Sequence, residues 1–392
     1  MNTYFSLFGL APTRIGGTEV FARELSLQLA ELGWTSVLCF SRPPCEPVRA
    51  WLELPNVRIE VVPTPDQPSP ANLLAAGRLF RKYKPEIFHA HYVGMVSAWP
   101  WTARACGIPR IYFTDHASRP AGQIPRRMAA WKLPLGRLLT LPITRALAVS
   151  DFSDRWLRSL GFCPADRIAR VYNGVALGAS GDGSAFRRRY GIPPDAALVT
   201  QVGNMIPEKG FKDLLKAARI VLDQEPSAHF AMVGEGLWRR EFEQYAESLG
   251  IGRSVTWTGL VNDPVRDGVY AASDIVCLMS SWEEAFGFVV AEAMAQQKPM
   301  VVTSVGALPE LIAEGETGFL VPRGDPQAMA RRILDLIANP ALRMGIGAEA
   351  RRVAGERFDV RESVAQLLRL VGAGPNREDP EDVNRHRAVS AV

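Results

Sequence analysis

The sequence predicts an α/β protein in which two doubly wound domains face each other across a cleft. Short apolar runs alternate with segments of helical periodicity along nearly the whole chain, and a Gly-, Ser- and Pro-rich stretch at 176–197 interrupts this alternation. Strands that are apolar on both faces are typical of parallel sheets covered by helices on both sides. At 392 residues, the chain is long enough for two such domains. Ligands of doubly wound sheets bind at the carboxyl ends of the strands, so we expect the functional site in the cleft.

The individual elements follow from local periodicity. Residues 18–32 place apolar side chains at spacings of three and four, which is the pattern of an amphipathic helix. The candidate strands are 36–40, 59–62, 87–90, 111–113, 146–149 and 169–172 in the first half and 198–202, 229–233, 255–257, 275–279, 300–303 and 319–321 in the second. We therefore predict one Rossmann-like domain at 1–180 and another at 195–357. The polar tail 373–392 is expected to be disordered.

Composition favours a globular protein of a reducing compartment. The chain is 47% hydrophobic and 22% charged, and no apolar run approaches the roughly 18 residues needed to span a bilayer. The five cysteines are scattered and odd in number, which argues against a disulfide framework or a zinc site. We therefore expect a cytoplasmic protein.

The net charge of +4 hides an asymmetry between the two halves of the chain. Residues 1–190 carry 24 basic and 13 acidic side chains, whereas the remainder carries 21 and 28. Between His116 and Ser150 there are six basic residues and no acidic residue, interleaved with tryptophan and leucine. Residues 119–145 are predicted either to rest on the anionic inner face of a membrane or to form a helix whose leucines enter the core. Nucleic acid is not an expected partner, because the positive charge has no recognition module around it.

Two carboxylates, Glu284 and Glu292, lie eight positions apart, with Phe286 and Gly287 between them and an Ala- and Met-rich run after them. If the chain is helical from Glu284 onward, eight residues rise about 12 Å. That length matches the separation of hexose and ribose in a nucleotide-sugar, and charged acceptors make strong hydrogen bonds to hydroxyl groups. The pattern also fits a helix with one glutamate favoured by the helix dipole and a second that is merely solvated.

Turns that contain glycine follow several predicted strands. Gly16 and Gly17 open the first long helix, where free N–H groups and the helix dipole attract a phosphate group. Lys209 follows the first strand of the second domain and can meet a diphosphate as a point charge. An exposed loop lysine without a function would show the same local pattern.

Two predicted strand ends carry histidine. His116 ends one strand, and His89 and His91 end the preceding strand. A single histidine is more often structural than catalytic, but two adjacent strand ends at one cleft favour substrate contact for His116. A metal is not expected, because no carboxylate or cysteine lies beside the His-x-His pair and we expect strand alternation to direct its two rings to opposite faces.

Taken in order, these motifs resemble those of family-four retaining glycosyltransferases of the GT-B fold, over about residues 4–370. The resemblance rests on Gly-Gly-Thr-Glu, Phe-His-Ala-His, Thr-Asp-His, Tyr-Asn-Gly-Val, Gly-x5-Lys-Gly, Val-Gly-Glu-Gly, Glu-x7-Glu and Gly-Ala-Leu-Pro-Glu. It implies that a nucleotide diphosphate sugar, bound mainly by the C-terminal domain, gives its sugar to an acceptor bound mainly by the N-terminal domain. Retention of configuration, the absence of a cofactor or metal, and a helix at 358–371 that packs back onto the first domain are also implied.

The resemblance further implies roles for individual residues. Glu284 should hold the hydroxyl groups of the donor sugar, Lys209 should bind the diphosphate, and His116 should lie beside the sugar and the acceptor. The further residues that should bind substrate are Gly16, Gly17, Asn204, Gly234, Glu235, Leu260, Phe286, Gly287 and Glu292. The product would be a surface polysaccharide, a glycolipid or a related glycoconjugate, made from a sugar or lipid-linked acceptor.

One departure from the family pattern is Asn204, which stands where an arginine usually precedes the loop lysine. Asparagine donates a neutral hydrogen bond, whereas a charge-assisted bond is about twice as strong. We therefore expect weaker donor binding or a substitute arginine elsewhere. Two alternatives stay open, namely a nucleotide-sugar epimerase or glycoside phosphorylase on the same two-domain plan, and a non-catalytic nucleotide-binding protein.

Overall fold

The computed structural model describes residues 2–63, 69–124, 128–178 and 180–374. In these residues the strands form two sheets, one of seven strands and one of six, and every neighbouring pair of strands is parallel. The first sheet consists of β1 Thr3–Phe8, β2 Thr35–Phe40, β3 Val57–Val61, β4 Ile87–His91, β5 Arg110–Asp115, β6 Arg145–Ala148 and β7 Ile168–Arg170. The second consists of β8 Leu198–Val202, β9 His229–Val233, β10 Val255–Gly259, β11 Ile275–Leu278, β12 Met300–Thr303 and β13 Phe319–Val321.

Helices connect the strands and cover the sheets. In the first half they are α1 Gly17–Glu31, α2 Glu46–Leu52, α3 Pro70–Tyr83, α4 Trp99–Ala105, α5 Leu133–Thr140 and α6 Asp151–Leu160. In the second half they are α7 Gly183–Arg189, α8 Phe211–Gln224, α9 Arg239–Ser248, α10 Val269–Ala272, α11 Phe288–Ala295, α12 Leu308–Leu311, α13 Pro326–Ala338, α14 Pro340–Arg357 and α15 Val360–Leu370. None of the described helices combines the length and the apolar composition that crossing a membrane requires.

The strand order of each sheet decides where a ligand can bind. The first sheet runs β3-β2-β1-β4-β5-β6-β7 and the second runs β10-β9-β8-β11-β12-β13. The direction of winding therefore reverses between β1 and β4 and again between β8 and β11. Loops diverge at such a reversal and leave a crevice at the carboxyl ends of the strands. The predicted fold class is confirmed, with two parallel-sheet α/β domains.

The last helix returns to the first domain. Val364 and Leu368 of α15 are buried in one apolar cluster with Tyr4 of β1 and Leu25 of α1. The side-chain amide of Gln28 also donates to the carbonyl oxygen of Arg361 at 2.9 Å. Of the predicted tail 373–392, residues 375–392 lie outside the described part of the chain.

Several contacts join the two domains across the cleft. The carboxylate of Glu310, in α12, accepts hydrogen bonds from the backbone N–H groups of Asp151 at 2.7 Å and Phe152 at 2.6 Å. These N–H groups open α6 of the first domain, so the second domain caps that helix. The ring of Trp51, in α2, contacts the guanidinium groups of Arg23 at 4.5 Å and of Arg266, in the second domain, at 4.2 Å. The two domains therefore face each other in a closed arrangement.

Candidate functional site

The two catalytic residues predicted for the second domain meet at the crevice between β8 and β11. Lys209 ends a 3₁₀ turn, Pro207–Lys209, and its Nζ lies 2.6 Å from Oε1 of Glu284. Glu284 is only 5% exposed, and its Oε2 accepts a hydrogen bond from Oγ of Ser118 at 3.2 Å. Ser118 belongs to the first domain, so this carboxylate contacts both sides of the cleft.

Glycine allows the loops around Glu284 to come this close. A Cβ on Gly306 would lie 2.3 Å from the carbonyl oxygen of Glu284, and its φ of +54° lies in the left-handed region. The N–H of Ala307 donates to that carbonyl oxygen at 2.8 Å. The loop before α12 therefore fixes the backbone of Glu284.

The neighbouring carboxylate, Glu283, fastens the two domains together. Its Oε1 accepts hydrogen bonds from the N–H of Gly122 at 2.9 Å and from Arg323, and its Oε2 accepts one from the N–H of Gly306 at 2.8 Å. Its backbone also pairs with that of Arg119 in an antiparallel bridge. Burial opposes ionisation of Glu283, but these hydrogen bonds outweigh it and hold its pKa below the usual value.

The expected helix from Glu284 onward is wrong. α11 begins at Phe288, because Gly287 adopts a φ of +101° and acts as the N-cap. Glu284 therefore lies in a loop, and the 12 Å rise does not describe its separation from Glu292. Glu292 lies in α11 and accepts a hydrogen bond from Tyr270 Oη at 2.5 Å. Burial raises the pKa of Glu292, against the effect of the Tyr270 hydrogen bond.

On the first-domain side, the glycine turn before α1 contacts the second domain. A Cβ on Gly17 would lie 2.0 Å from the ring of Phe288, so the ring packs directly on this backbone. The N–H of Gly16 donates to Oε2 of Glu19 at 3.1 Å. Burial raises the pKa of Glu19 to about 7, although the hydrogen bond from Gly16 opposes the rise. One of the two amides predicted to meet a phosphate thus already has a partner in the chain.

His116 lies in the cleft as an uncharged ring. Its Nε2 is 3.1 Å from Nδ1 of His91, and its ring stacks on Tyr92 with centroids 4.3 Å apart and planes inclined by 10°. Burial lowers the pKa of His116 to about 3, so the imidazole is neutral at neutral pH. His116 Nδ1 and His91 Nε2 are buried without a hydrogen-bond partner among the described residues.

The expectation that His89 and His91 point to opposite faces is wrong, because residues two apart along a strand share a face. Their ring centroids are 3.9 Å apart. The nitrogen atoms of His89 contact Tyr4 Oη at 2.6 Å and Thr114 Oγ1 at 2.7 Å. His89 is therefore a satisfied core residue. Within the described ranges, no group of three or more His, Cys, Asp or Glu side chains is arranged to hold a metal ion. That the protein needs no metal stays a prediction.

A pocket beside this centre collects other predicted substrate-binding residues. Asn204, Gly234, Glu235 and Leu260 line it together with Arg14 of the first domain. A larger crevice of about 300 Å³ continues from Leu260 along the domain boundary. A Cβ on Gly234 would lie 1.9 Å from the carbonyl oxygen of Gly203, so this turn has no room for a side chain. The pocket has a volume of about 10 Å³, and that its lining residues bind a donor stays a prediction.

Two predicted residues have their side chains engaged elsewhere. Phe286 is buried in an aromatic cluster with Phe288 and Phe358, so a contact with substrate would have to come from its main chain. Glu235 forms an ion pair with Arg239 at 2.8 Å.

Sequence reasoning missed Arg14, Ser118 and Tyr270. Arg14 stands two residues before the Gly-Gly turn, and a basic residue beside a predicted phosphate turn is a signal that could have been used. Ser118 and Tyr270 carry no such signal, because their partners come from distant segments of the chain.

Comparison with known proteins identifies the family of both halves of the chain. The sequence model of Glycosyltransferase Family 4 matches residues 15–178, and that of Glycosyl transferases group 1 matches residues 182–353. The D-inositol 3-phosphate glycosyltransferase of Streptomyces avermitilis is 30% identical over 374 residues, which covers 86% of this chain and 79% of the relative. The 2-deoxystreptamine N-acetyl-D-glucosaminyltransferase of Streptomyces fradiae is 27% identical over 355 residues and 83% of each chain.

Solved structures share the two-domain architecture. Anabaena HepE, crystallised with UDP and glucose, superposes with a TM-score of 0.77 at 20% identity, covering 95% of this chain and all of that one. The sucrose-phosphate synthase of Thermosynechococcus elongatus gives a TM-score of 0.76 at 21% identity, with 94% and 98% covered. These likenesses establish a GT-B fold, and the family matches over both domains show that the chain belongs to the family 4, group 1 glycosyltransferases.

Proposed function

We propose that this glycosyltransferase moves a sugar, with retention of anomeric configuration, from a nucleotide diphosphate sugar to an acceptor in cell-surface polysaccharide or glycolipid synthesis. The observation that carries the proposal is the pair of Lys209 with the buried Glu284, to which Ser118 of the opposite domain also donates a hydrogen bond. The second domain, 195–357, binds the donor, and the first domain, 1–180, binds the acceptor. That HepE was crystallised with UDP-glucose supports a donor of this class.

Lys209 and Glu284 have different roles in the absence and in the presence of a donor. In the structure Lys209 neutralises the buried carboxylate of Glu284. When a donor enters, its diphosphate attracts the ammonium group, and the oxygen atoms of Glu284 accept hydrogen bonds from the sugar hydroxyl groups. A cation placed where leaving-group charge develops lowers the barrier to departure of the nucleoside diphosphate.

Retention follows a front-face route in this proposal. Two acidic side chains of this centre have partners in the structure, since Asp115 pairs with Arg119 at 2.6 Å and Glu284 pairs with Lys209. Neither is therefore proposed as a covalent nucleophile. The bond from the anomeric carbon to the phosphate oxygen breaks while the bond to the acceptor oxygen forms on the same face. The acceptor proton passes to the departing phosphate oxygen. The neutral ring of His116 contributes a hydrogen bond and no charge.

Incubation with a panel of nucleotide-sugars and sugar or lipid-linked acceptors tests this function. We expect release of nucleoside diphosphate that depends on an acceptor, and an unchanged anomeric configuration in the product by NMR. An inverted product contradicts retention. Product formed from donor alone indicates an epimerase, and donor binding without turnover on any acceptor indicates a non-catalytic protein.

We also propose that residues 119–145 attach the first domain to an anionic membrane. Trp131, Leu135, Leu138 and Leu141 are 78%, 60%, 55% and 59% exposed, so these leucines do not enter the core. Lys132 and Arg137 lie among them. Apolar side chains flanked by cations suit an anionic lipid surface.

Not every basic residue of this segment is available for lipid. Arg119 is buried, where it pairs with Asp115 and stacks on Trp156 at 4.2 Å. Arg126 and Arg127 lie outside the described residues. The attachment therefore relies on α5 and on the 3₁₀ turn Ala130–Lys132 before it.

Flotation with phosphatidylglycerol and phosphatidylcholine vesicles at low and high salt tests the attachment. We expect binding to the anionic vesicles at low salt and weaker binding at high salt, because ions screen exposed charges. Trp131→Ser/Leu135→Ser should lower the bound fraction, whereas Leu74→Ser, another exposed leucine on α3, should not. Absence of binding to anionic vesicles at low salt contradicts the proposal.

A further inference from the structure

An arginine without an ion pair lies at the mouth of the cleft. Arg14 belongs to the turn between β1 and α1 of the first domain, yet it lines the same pocket as Gly203, Asn204 and Gly234 of the second. Within the described part of the chain, its guanidinium group makes no hydrogen bond and no ion pair. Such a group is free to bind an anion that enters from outside.

The position of Arg14 directs it to the predicted phosphate turn. A Cβ on Gly16 would lie 3.8 Å from the guanidinium carbon of Arg14, so the two groups are neighbours. The N–H of Gly16 is already donated to Glu19. The turn therefore offers an incoming phosphate a guanidinium group in addition to, or in place of, that backbone amide.

The neighbouring carboxylates, Glu19 and Glu292, do not form an ion pair with the guanidinium group of Arg14. Burial raises the pKa of both Glu19 and Glu292, and Arg14 only partly opposes the rise at each. Both carboxylates are influenced by the charge of Arg14, but neither owes its pKa to a hydrogen bond from it. A guanidinium group with its donors free can bind two phosphate oxygens at once and adds a positive charge, which an asparagine lacks.

The turn that carries Arg14 is docked on the second domain. The N–H of Ile15 donates to the carbonyl oxygen of Asn262 at 2.8 Å, and Phe288 covers Gly17. Across the pocket, Asn204 is exposed and uncharged. The cation that lines this pocket thus comes from the first domain.

We propose that Arg14 binds the diphosphate of the donor across the cleft and supplies the charge that Asn204 lacks, so that the anion site is complete only when the domains are closed. This proposal rests on the proposed function, because it takes a nucleoside diphosphate group as the ligand.

Calorimetry on the full-length chain tests the proposal, with UDP, GDP and ADP as probes and the matching nucleosides as references. For the diphosphate that the unaltered protein binds best, Arg14→Met should raise Kd about 10- to 100-fold, as expected for loss of a charged hydrogen-bond partner. The Kd of the nucleoside should not change. Arg253→Met, at the amino end of β10 and far from the cleft, should bind like the unaltered protein.

A second variant moves the charge to the other domain. Adding Asn204→Arg to Arg14→Met places a guanidinium group on the opposite side of the same pocket, and we expect it to recover most of the lost diphosphate affinity. Lack of recovery would contradict the idea that the two positions serve one anion.

The outcomes separate this proposal from the function on which it rests. If the unaltered protein binds a diphosphate and Arg14→Met binds it equally well, Arg14 has no such role and the proposed function stands. Equal losses for diphosphate and nucleoside would show a structural role and overturn the proposal. An unaltered protein that binds none of the three diphosphates overturns both.

Discussion

The two domains bring polar groups of different character to one cleft. The second domain contributes full charges in contact, with Lys209 and Glu284 2.6 Å apart. The first contributes imidazoles that burial keeps neutral, since the pKa values of His91 and His116 both lie well below the usual histidine value. From this difference we expect a division of labour within the centre, in which Lys209 meets the charge of a leaving diphosphate, with Arg14 as the proposed cation of the first domain, and the buried imidazoles contact uncharged hydroxyl groups.

Removal of the charge on the second-domain side should have the largest effect. We expect Lys209→Met to lower kcat about 10²- to 10³-fold, as for loss of one preorganised stabiliser of transition-state charge. Lys212→Met, which breaks a half-exposed pair with Glu241, should leave kcat unchanged. Steady-state kinetics with the best donor measures both.

Lys209→Met also leaves Glu284 buried without its cation, so part of its effect could be loss of stability. Lys209→Met/Glu284→Gln removes that unpaired charge. We expect the double variant to regain thermal stability but not activity. Recovery of activity would mean that the pair serves folding and that the proposed contrast between the domains is mistaken.

Glu283 should produce the next largest effect, through closure of the cleft. Glu283→Gln weakens the hydrogen bonds to Gly122 and Arg323, and we expect kcat/KM to fall about 10-fold, since bonds to charged groups contribute about 1.5–3 kcal/mol. Solution scattering should show a larger radius of gyration. Glu349→Gln, which breaks an exposed pair with Arg352, is the matched control, and a radius that stays the same in Glu283→Gln contradicts the assigned role.

Because the imidazoles of the first domain are neutral, we expect substitution of His116 to have a weaker effect. His116→Phe keeps a ring on Tyr92 and removes one neutral hydrogen bond, so we expect kcat/KM to fall about 2- to 10-fold. Since the pKa of His116 is about 3, below the usual 6.5, the neutral ring favours the folded state. That contribution is present above pH 6.5 and is lost as the pH falls towards 3. A rate inflection near pH 6.5 that disappears in His116→Phe would contradict a neutral imidazole.

Glu19 should give the smallest effect and the opposite pH dependence. Its pKa of about 7 exceeds the ordinary 4.5, so the folded state binds its proton more tightly than the unfolded state. The free energy of unfolding should therefore fall as the pH rises from 4.5 to 7. Glu19→Gln keeps an acceptor for Gly16 and should unfold at a higher temperature than the unaltered protein at pH 8, but not at pH 4.5. Equal shifts at both pH values would contradict the raised pKa.

Local pattern was sufficient for most of the strands and for residues at their ends, although β1, Thr3–Phe8, is not among the predicted strands. The predicted strands 198–202, 229–233, 300–303 and 319–321 have the bounds found in the structure, because each is an apolar run between clear turns. The carboxyl ends of parallel strands converge, so Lys209 and Glu284 were both expected at the cleft, although their direct contact was not predicted.

Features that depend on one backbone angle or on distant partners were not predictable in this way. Gly287 delays α11 by its positive φ, and nothing in the composition of the segment reports that angle. The sequence could not show whether Leu135 and Leu138 are exposed or buried, because periodicity identifies an apolar face but not what covers it. The contact of Ser118 with Glu284 joins residues 166 positions apart.

The cap that Glu310 places on α6 makes the amides of Asp151 and Phe152 natural reporters of hinge motion. Their hydrogens are bound by the two carboxylate oxygen atoms of Glu310 in the other domain, so separation of the domains exposes them to solvent. The rest of α6 keeps its own backbone hydrogen bonds during that motion. Deuterium uptake at these two amides should therefore follow the frequency of opening, and a nucleotide that keeps the lobes together should slow it.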